Sequence, residues 1–167
     1  MSALTMFLSV AVIYMVLAWS EPSNACGLCT CSKGVLMSCS NTASSAIFLF
    51  SNGITTISKD TFKNLSSLVE LNLQDNRITT LSKDTFKNLP SLSYLNIPNN
   101  RITTIEAGAF YNLPQLYDLN LQNNRITTLS KDTFKNLPSL IRLFLQNNRI
   151  TTISKDTFRN LSSLYWL

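Results

Sequence analysis

Hydrophobic positions recur along this chain with a fixed period of 24 residues. The most regular columns are the leucines Leu71, Leu95, Leu119 and Leu143, the phenylalanines Phe62, Phe86, Phe110, Phe134 and Phe158, and the asparagines Asn52, Asn76, Asn100, Asn124 and Asn148. Five repeats are complete, at 44–67, 68–91, 92–115, 116–139 and 140–163, and a sixth begins at Leu164. Because a fixed period of this length indicates a repeat architecture, we predict a stack of similar coils.

Within one repeat the pattern predicts a short strand, a turn and a return segment. Leu71 and Leu73 alternate with Asn72, which is the period of a strand with one buried face. Asn76 follows where the chain must leave the strand, and its amide can both donate to and accept from backbone groups of neighbouring coils. Phe86 closes the far side of the coil. Since no coil can bury this apolar face alone, about three or more must stack.

The second repeat, LVELNLQDNRITTLSKDTFKNLPS, reads L-x-x-L-x-L-x-x-N-x-I-x-x-L. This pattern resembles the extracellular leucine-rich-repeat family, including variable lymphocyte receptors of jawless vertebrates, Toll-like receptor ectodomains and Slit repeats. The resemblance implies an α/β repeat fold. Such a leucine-rich-repeat solenoid has a parallel concave β-sheet, an irregular or 3-10 convex side and a disulfide-stapled N-terminal cap.

The start of the chain is apolar, and residues 1–19 contain no charged side chain. The small residues Ala18 and Ser20 precede Glu21 at the positions that a signal peptidase reads. A membrane anchor is the alternative, since the apolar run counted from Met1 approaches the ~20 residues of a spanning helix. We favour a signal peptide. The predicted organisation is a signal peptide at 1–20, a cysteine-rich cap at 21–43 and leucine-rich repeats at 44–167.

All four cysteines lie between positions 26 and 39. An even, clustered set in an exported chain indicates disulfides, although the sequence alone permits three pairings. A zinc site is the competing interpretation, but the chain has no histidine and an oxidising compartment favours pairing. The segment resembles the family's N-terminal cap, with Gly27 where the family usually has proline. The resemblance implies the pairs Cys26–Cys31 and Cys29–Cys39, in a flap that covers the first coil.

Strand positions beside the buried leucines vary while most of the repeat is copied. The residue types Tyr, Trp, Phe and Arg often anchor interfaces, and we predict Tyr94, Arg142, Phe144 and Trp166 as anchors. The alternative is that they are idle exposed surface, which is normal for single aromatics. The full set of predicted ligand-binding residues is Glu70, Asn72, Tyr94, Asn96, Asp118, Asn120, Arg142, Phe144 and Trp166.

By resemblance, the concave face is expected to bind an extracellular protein or glycan, as a receptor does in immunity, adhesion or signalling. The different-class alternative is an extracellular matrix or scaffold protein without one selective ligand. No nucleic acid partner is expected, because the net charge of +5 arises from repetition of a small local excess. One basic column, Arg77, Arg101, Arg125 and Arg149, could hold a sulfated glycan or other polyanion. It could equally be a solvated edge copied by duplication.

Enzyme chemistry has little support in the sequence. There is no histidine, no glycine-rich phosphate loop and only nine acidic residues, so we predict no catalysis, no cofactor and no metal. The N-L-S sequons at Asn64 and Asn160 predict N-glycosylation, although the repeat itself favours asparagine there.

The expected location is secreted or extracellular, with no membrane span beyond the signal peptide. Because the sequence stops inside a sixth strand, we also expect a longer parent protein. That parent would continue with a second cysteine-rich cap and could carry an attachment to the cell surface.

Overall fold

The computed structural model describes residues 25–26, 29–39, 45–58 and 60–167. The predicted signal peptide at 1–20 lies outside these residues. No helix in the described part of the chain is long and apolar enough to cross a membrane. The strands are β1 Ala25–Cys26, β2 Cys29–Ser32, β3 Val35–Cys39, β4 Ala46–Phe48, β5 Thr56–Ile57, β6 Glu70–Asn72, β7 Thr80–Leu81, β8 Tyr94–Asn96, β9 Thr104–Ile105, β10 Asp118–Asn120, β11 Thr128–Leu129, β12 Arg142–Phe144 and β13 Thr152–Ile153.

One parallel sheet runs along the solenoid, in the order β12-β10-β8-β6-β4. We call it the concave sheet. Each strand pairs with the strand one repeat away, so that Leu71 lies opposite Leu95 and Leu119 opposite Leu143. Trp166 extends the sheet through a parallel bridge to Arg142. This register confirms the predicted solenoid, because a 24-residue offset joins every pair.

The opposite side consists of turns and of two-residue strands, which pair as β7 with β9 and β11 with β13. The described residues contain no α-helix and no 3-10 helix, so the convex side is irregular. Its turns use left-handed backbone conformations, which asparagine, aspartate and glycine tolerate best. Asn64 has φ 68°, and Gly108 has φ 86° where other repeats place aspartate. This backbone requirement explains why asparagine recurs at the sequon position.

The core is a single column of side chains shared by successive coils. The strand leucines, among them Leu95 and Leu119, are completely buried. On the far side the phenylalanine rings stack, with centroids 5.8 Å apart for Phe62 and Phe86 and 5.9 Å for Phe86 and Phe110. The stack continues to Phe134 at 6.2 Å. Each ring therefore buries its faces against rings of neighbouring coils, as the pattern predicted.

A buried asparagine ladder joins the coils at the end of the concave sheet. Asn100 donates from Nδ2 to the carbonyl oxygen of Leu73 at 3.0 Å and accepts from the amide of Ile78 at 3.0 Å. Asn124 makes the same bonds one repeat later, to Ile97 and from Ile102, both at 3.0 Å. This arrangement confirms the bonding that the amide chemistry suggested, since each side chain satisfies backbone groups of the preceding coil.

A second amide ladder lies on the surface beside the first and was not predicted. Asn99 donates to a carboxylate oxygen of Asp75 at 2.8 Å, Asn123 to Asn99 at 2.7 Å, and Asn147 to Asn123 at 2.7 Å. All four residues have φ between 55° and 58°. The left-handed turn therefore favours Asn or Asp at these positions, and the side chains then bond along the solenoid.

The N-terminal segment caps the first coil. A disulfide joins Cys29 to Cys39, which confirms one predicted pair, and both residues are buried. Strand β3 pairs in parallel with β5, and the amide of Cys39 donates to the Thr61 carbonyl at 2.9 Å. The cap thus occupies the edge of the first coil. The side chains of Cys26 and Cys31 lie outside the described part, so the second pair stays a prediction.

Replacing Asn124 by alanine should strongly destabilise the protein. The change leaves the buried amide of Ile102 without its partner and the carbonyl of Ile97 with only a long bond from Asn100, at 3.4 Å. Each unpaired buried group costs ~1–3 kcal/mol, so we expect a loss of roughly 3 kcal/mol in the free energy of unfolding. The measurement is urea denaturation, with Gln122→Ala as a control expected within ~0.5 kcal/mol. Equal stability of the two variants would contradict a structural role for the ladder.

Candidate functional site

The concave sheet places the predicted binding residues in two adjacent columns. In-register pairing aligns Glu70, Tyr94, Asp118 and Arg142, and Trp166 bridges to the last of these. The second column contains Asn72, Asn96, Asn120 and Phe144. The fully buried leucine column runs between them, so that both columns face away from the core. The structure therefore brings all nine predicted residues onto one surface.

Asp118 is the residue whose environment differs most from the prediction. It was expected to project freely outward, but only 8% of its surface is exposed. Arg142 on the next strand covers it, with Nη2 2.7 Å from Oδ2 of the carboxylate. Burial raises the pKa of Asp118 above its ordinary value, while the charge and hydrogen bond of Arg142 act to lower it. Desolvation has the larger effect on the pKa of Asp118. Burying the Asp118 carboxylate in this ion pair therefore costs free energy.

Tyr117 belongs to the same cluster and was missed by the sequence reasoning. The guanidinium carbon of Arg142 lies 5.2 Å from the centroid of the Tyr117 ring, which is a cation–π contact. The Tyr117 ring also packs against Tyr94, at 6.0 Å between centroids. Tyr117 precedes its strand by one residue, outside the alternating positions. Variation at this position, which is Val69 and Ser93 in earlier repeats, was the available signal.

Arg142 is held from two sides yet retains an unused donor. One guanidinium nitrogen bonds Asp118, and the plane lies over Tyr117. Its Nε atom is buried and has no hydrogen-bond partner. A buried unpaired donor is costly, so holding Arg142 in this position has an energetic cost. The Arg142 cluster, which we define as Tyr94, Tyr117, Asp118 and Arg142, therefore holds the Arg142 side chain in place while part of it stays exposed.

Exposed aromatic rings continue from this cluster toward the last strand. Trp166 is 59% exposed, and its ring packs edge-on against Tyr165 at 5.6 Å. Phe144 is half-buried beside Arg142 on β12. At the other end of the sheet, Phe48 and Phe50 are both more than half exposed. The concave surface thus has apolar ends, and its centre is polar.

The central asparagines are only partly available to a ligand. Asn72 accepts the backbone N–H of Gln74 at 3.0 Å, and Asn120 accepts that of Gln122 at 3.1 Å. These bonds shape the turn after each strand. Asn96 cannot do the same, because Pro98 has no N–H to donate. Asn96 therefore differs from its two neighbours in having its side-chain oxygen free of this turn bond.

A separate hollow of about 520 Å³ lies on the convex side, where the third repeat departs from its siblings. Ala107 and Gly108 form its floor between Lys83 and Lys135. In the neighbouring repeats lysine and aspartate side chains occupy the floor positions. The hollow is open and has no counterpart to the Arg142 cluster. Among the described residues, no three His, Cys, Asp or Glu side chains could together hold a metal ion.

Comparison with known proteins identifies the repeat. A sequence model described as "Leucine rich repeat" matches residues 45–102, 66–126 and 114–167. The chain belongs to the leucine-rich-repeat family. The family is one of non-enzymatic scaffolds for protein interaction, and its solenoid is typical of protein-binding recognition modules. No curated protein matches the sequence.

Two solved leucine-rich-repeat structures resemble the fold. One is a chain in the structure of the Toll–Spatzle complex, "a molecular hub in Drosophila development and innate immunity", with 29% identity and a TM-score of 0.65 over 67% of this chain. The other is internalin C2 from Listeria monocytogenes, with 28% identity and a TM-score of 0.60 over 75% of this chain. The chain spans 15% of the former and 52% of the latter.

The ion pair predicts a specific pH dependence. Because the folded-state pKa of Asp118 lies above its unfolded value, its contribution to stability is full below the unfolded pKa. That contribution is lost as pH rises through the folded pKa. Replacing Asp118 by asparagine should remove this pH-dependent contribution. The free energy of unfolding should therefore fall less with rising pH in the variant than in the wild type. The test compares urea denaturation of both proteins between pH 3 and pH 7, roughly the carboxylate range. A carbon-NMR titration that gives Asp118 an ordinary or lowered pKa would contradict it.

Proposed function

We propose that this chain is an extracellular recognition module that binds a protein ligand on its concave sheet. The anchors are Tyr94, Arg142, Phe144 and Trp166, with Tyr117 supporting Arg142. The observation that carries the proposal is that Asp118 and Tyr117 hold Arg142 in place beside exposed aromatic rings. Arginine and large aromatics are the residues that most often dominate binding energy when they are packed in place beforehand.

The preorganisation of Arg142 is the first step of the argument. Asp118 and Tyr117 fix the guanidinium, so little side-chain entropy remains to be lost when a ligand binds. The same contacts keep the Asp118 carboxylate buried, so the cost of removing it from water is already present in the free protein. A backbone carbonyl or carboxylate of a ligand would contact the exposed part of the Arg142 side chain, which is 39% exposed, and would exclude water from it. The ion pair then strengthens, because the local dielectric constant falls.

The apolar content of the surface favours a protein over a glycan. Phe48, Phe50 and Trp166 are all more than half exposed and lie at the two ends of the sheet. At ~4.8 Å between strands, the five strands span roughly 20 Å, which suits a protein patch of standard size. Toll provides a related example, since its structure was solved as a complex with Spatzle. A glycan ligand is an outcome that the binding test distinguishes.

The extracellular assignment rests on the disulfide between Cys29 and Cys39. Such bonds persist in oxidising compartments and are rare in the cytosol. The proposed secretion signal at 1–20 and the proposed glycosylation of Asn64 and Asn160 agree with this location. Both asparagines are exposed and lie in the turns that follow the phenylalanine column. Glycans attached there would leave the concave sheet free.

The test is a paired alanine scan against a protein ligand identified by cross-linking to cells and then purified. Tyr94→Ala and Arg142→Ala should each weaken binding by about 2 kcal/mol or more, which is about thirtyfold. The controls are Lys83→Ala and Lys131→Ala, which change exposed convex residues and should cost less than ~0.5 kcal/mol. Surface plasmon resonance gives the affinities, and thermal melting verifies that each variant is folded.

Three outcomes would count against the proposal. If the convex lysines matter more than Tyr94 and Arg142, the binding surface is elsewhere. If the ligand that requires these anchors is a glycan, the ligand class is wrong. Broad association with matrix that is salt-sensitive and unaffected by either variant would support a scaffold without one selective ligand.

A further inference from the structure

Four arginines form a strip along one flank of the solenoid. Each directly follows a ladder asparagine, which is buried in three repeats and partly buried at Asn148, and each arginine is exposed to solvent. Their backbone amides bond the preceding coil in the same way, for example Arg101 to the Ile78 carbonyl and Arg125 to the Ile102 carbonyl, both at 2.9 Å. The buried ladder therefore sets the spacing of these residues. The arginine strip consists of Arg77, Arg101, Arg125 and Arg149.

The charges of the strip are not matched by carboxylates in the part of the chain that the structure describes. In the described residues, none of the four arginines lies within 4.0 Å of an acidic oxygen. Other cations do have partners: Lys135 pairs with Asp132 at 3.7 Å, Arg159 with Asp156 at 3.8 Å, and Arg142 with Asp118. The described residues also include unpaired lysines, but their columns are interrupted in the third repeat by Ala107 and Tyr111, whereas the strip places an arginine in four successive repeats.

The columns on either side of the strip carry one charged residue and are rich in hydrogen-bonding groups. On one side lies the surface amide ladder, whose only acid, Asp75, has its oxygens engaged by Gln74 and Asn99. On the other side lie threonines, such as Thr79 and Thr103, both exposed and joined by a hydroxyl bond of Thr103 to the Thr79 carbonyl at 3.3 Å. The flank therefore carries four arginines against one aspartate.

We propose that the arginine strip is a second binding site, for a linear sulfated polysaccharide that lies along the solenoid axis. Adjacent strands are ~4.8 Å apart, so the four arginines cover roughly 15 Å. A linear polyanion along this line can meet several guanidinium groups, and the planar fork of arginine matches sulfate geometry. Binding would also relieve the repulsion between like charges on neighbouring strands. The site is independent of the concave sheet.

The residues of the flank favour a polysaccharide over a nucleic acid. Recognition of single strands combines a basic groove with aromatic rings on which bases stack. The strip and its two neighbouring columns contain only Arg, Asn, Asp, Ser, Thr and Gly. The disulfide between Cys29 and Cys39 indicates an oxidising compartment, which is also where sulfated polysaccharides are found. The flank therefore offers charge and hydrogen bonds but no stacking platform.

The experiment measures binding of the full chain to an immobilised heparin oligosaccharide at several salt concentrations. The wild type should lose affinity by on the order of a hundredfold between 50 and 200 mM salt, as expected for about four ionic contacts. The variant Arg101→Gln with Arg125→Gln should bind on the order of tenfold or more weakly and show about half the salt slope. The matched control, Lys83→Gln with Lys131→Gln, has the same net charge and should bind like the wild type.

Each alternative result overturns the proposal. Equal weakening by the arginine and lysine pairs would show that only net charge matters. Undiminished binding of desulfated heparin would exclude sulfate recognition. Preferential binding of oligothymidylate, lost in the arginine pair, would assign the strip to nucleic acid. Unchanged melting temperatures verify that the variants fold, and Tyr94→Ala should leave heparin binding intact.

Discussion

Each buried asparagine of the ladder bonds two coils at once. Asn124 donates to the carbonyls of Ile97 in the preceding coil and Leu121 in its own, and it accepts the amide of Ile102. These backbone groups leave the sheet inside the protein, where water cannot reach them, and an unpaired group there would cost as much as several good contacts gain. Leucine and phenylalanine burial supplies most of the driving force, but the ladder makes that burial possible at the turn. Coils joined in this way must keep one register.

A fixed register divides the sequence between structure and recognition. Buried positions and left-handed turns allow few residue types, so they repeat, whereas outward positions on the concave sheet are free to differ. Arg142 uses that freedom, and its contacts with Asp118 and Tyr117 exist because the sheet register places it beside the preceding repeat. The arginine strip shows the other consequence of a repeated frame, since four copies of one side chain produce a continuous charged surface. The solenoid thus presents two kinds of surface. On the concave sheet the residues differ between repeats, and along the arginine strip the same residue recurs.

The period of the sequence was enough to predict the solenoid, the strand columns and the phenylalanine column, because these follow from residues 24 positions apart. Amide chemistry was enough to predict the ladder. The burial of Asp118 was not predictable, because it depends on the path that the Arg142 side chain takes across the neighbouring strand. Tyr117 was missed for a related reason. It lies one residue before its strand, where the alternation of buried and outward residues does not predict which way a side chain points. The convex side contains turns without helix in the described residues, and the left-handed conformations of Asn64 and its equivalents account for that.

Native-state hydrogen exchange followed by NMR tests the central claim most directly, because it reports on the ladder bonds one amide at a time. The amides of Ile78, Ile102 and Ile126 donate to ladder asparagines rather than to the backbone. If the ladder couples the coils, these three amides exchange only when the stack opens, as slowly as buried amides bonded to the next coil, such as that of Leu73. Exchange as fast as that of the exposed convex residue Lys87 would show that the ladder opens locally, and would contradict the account.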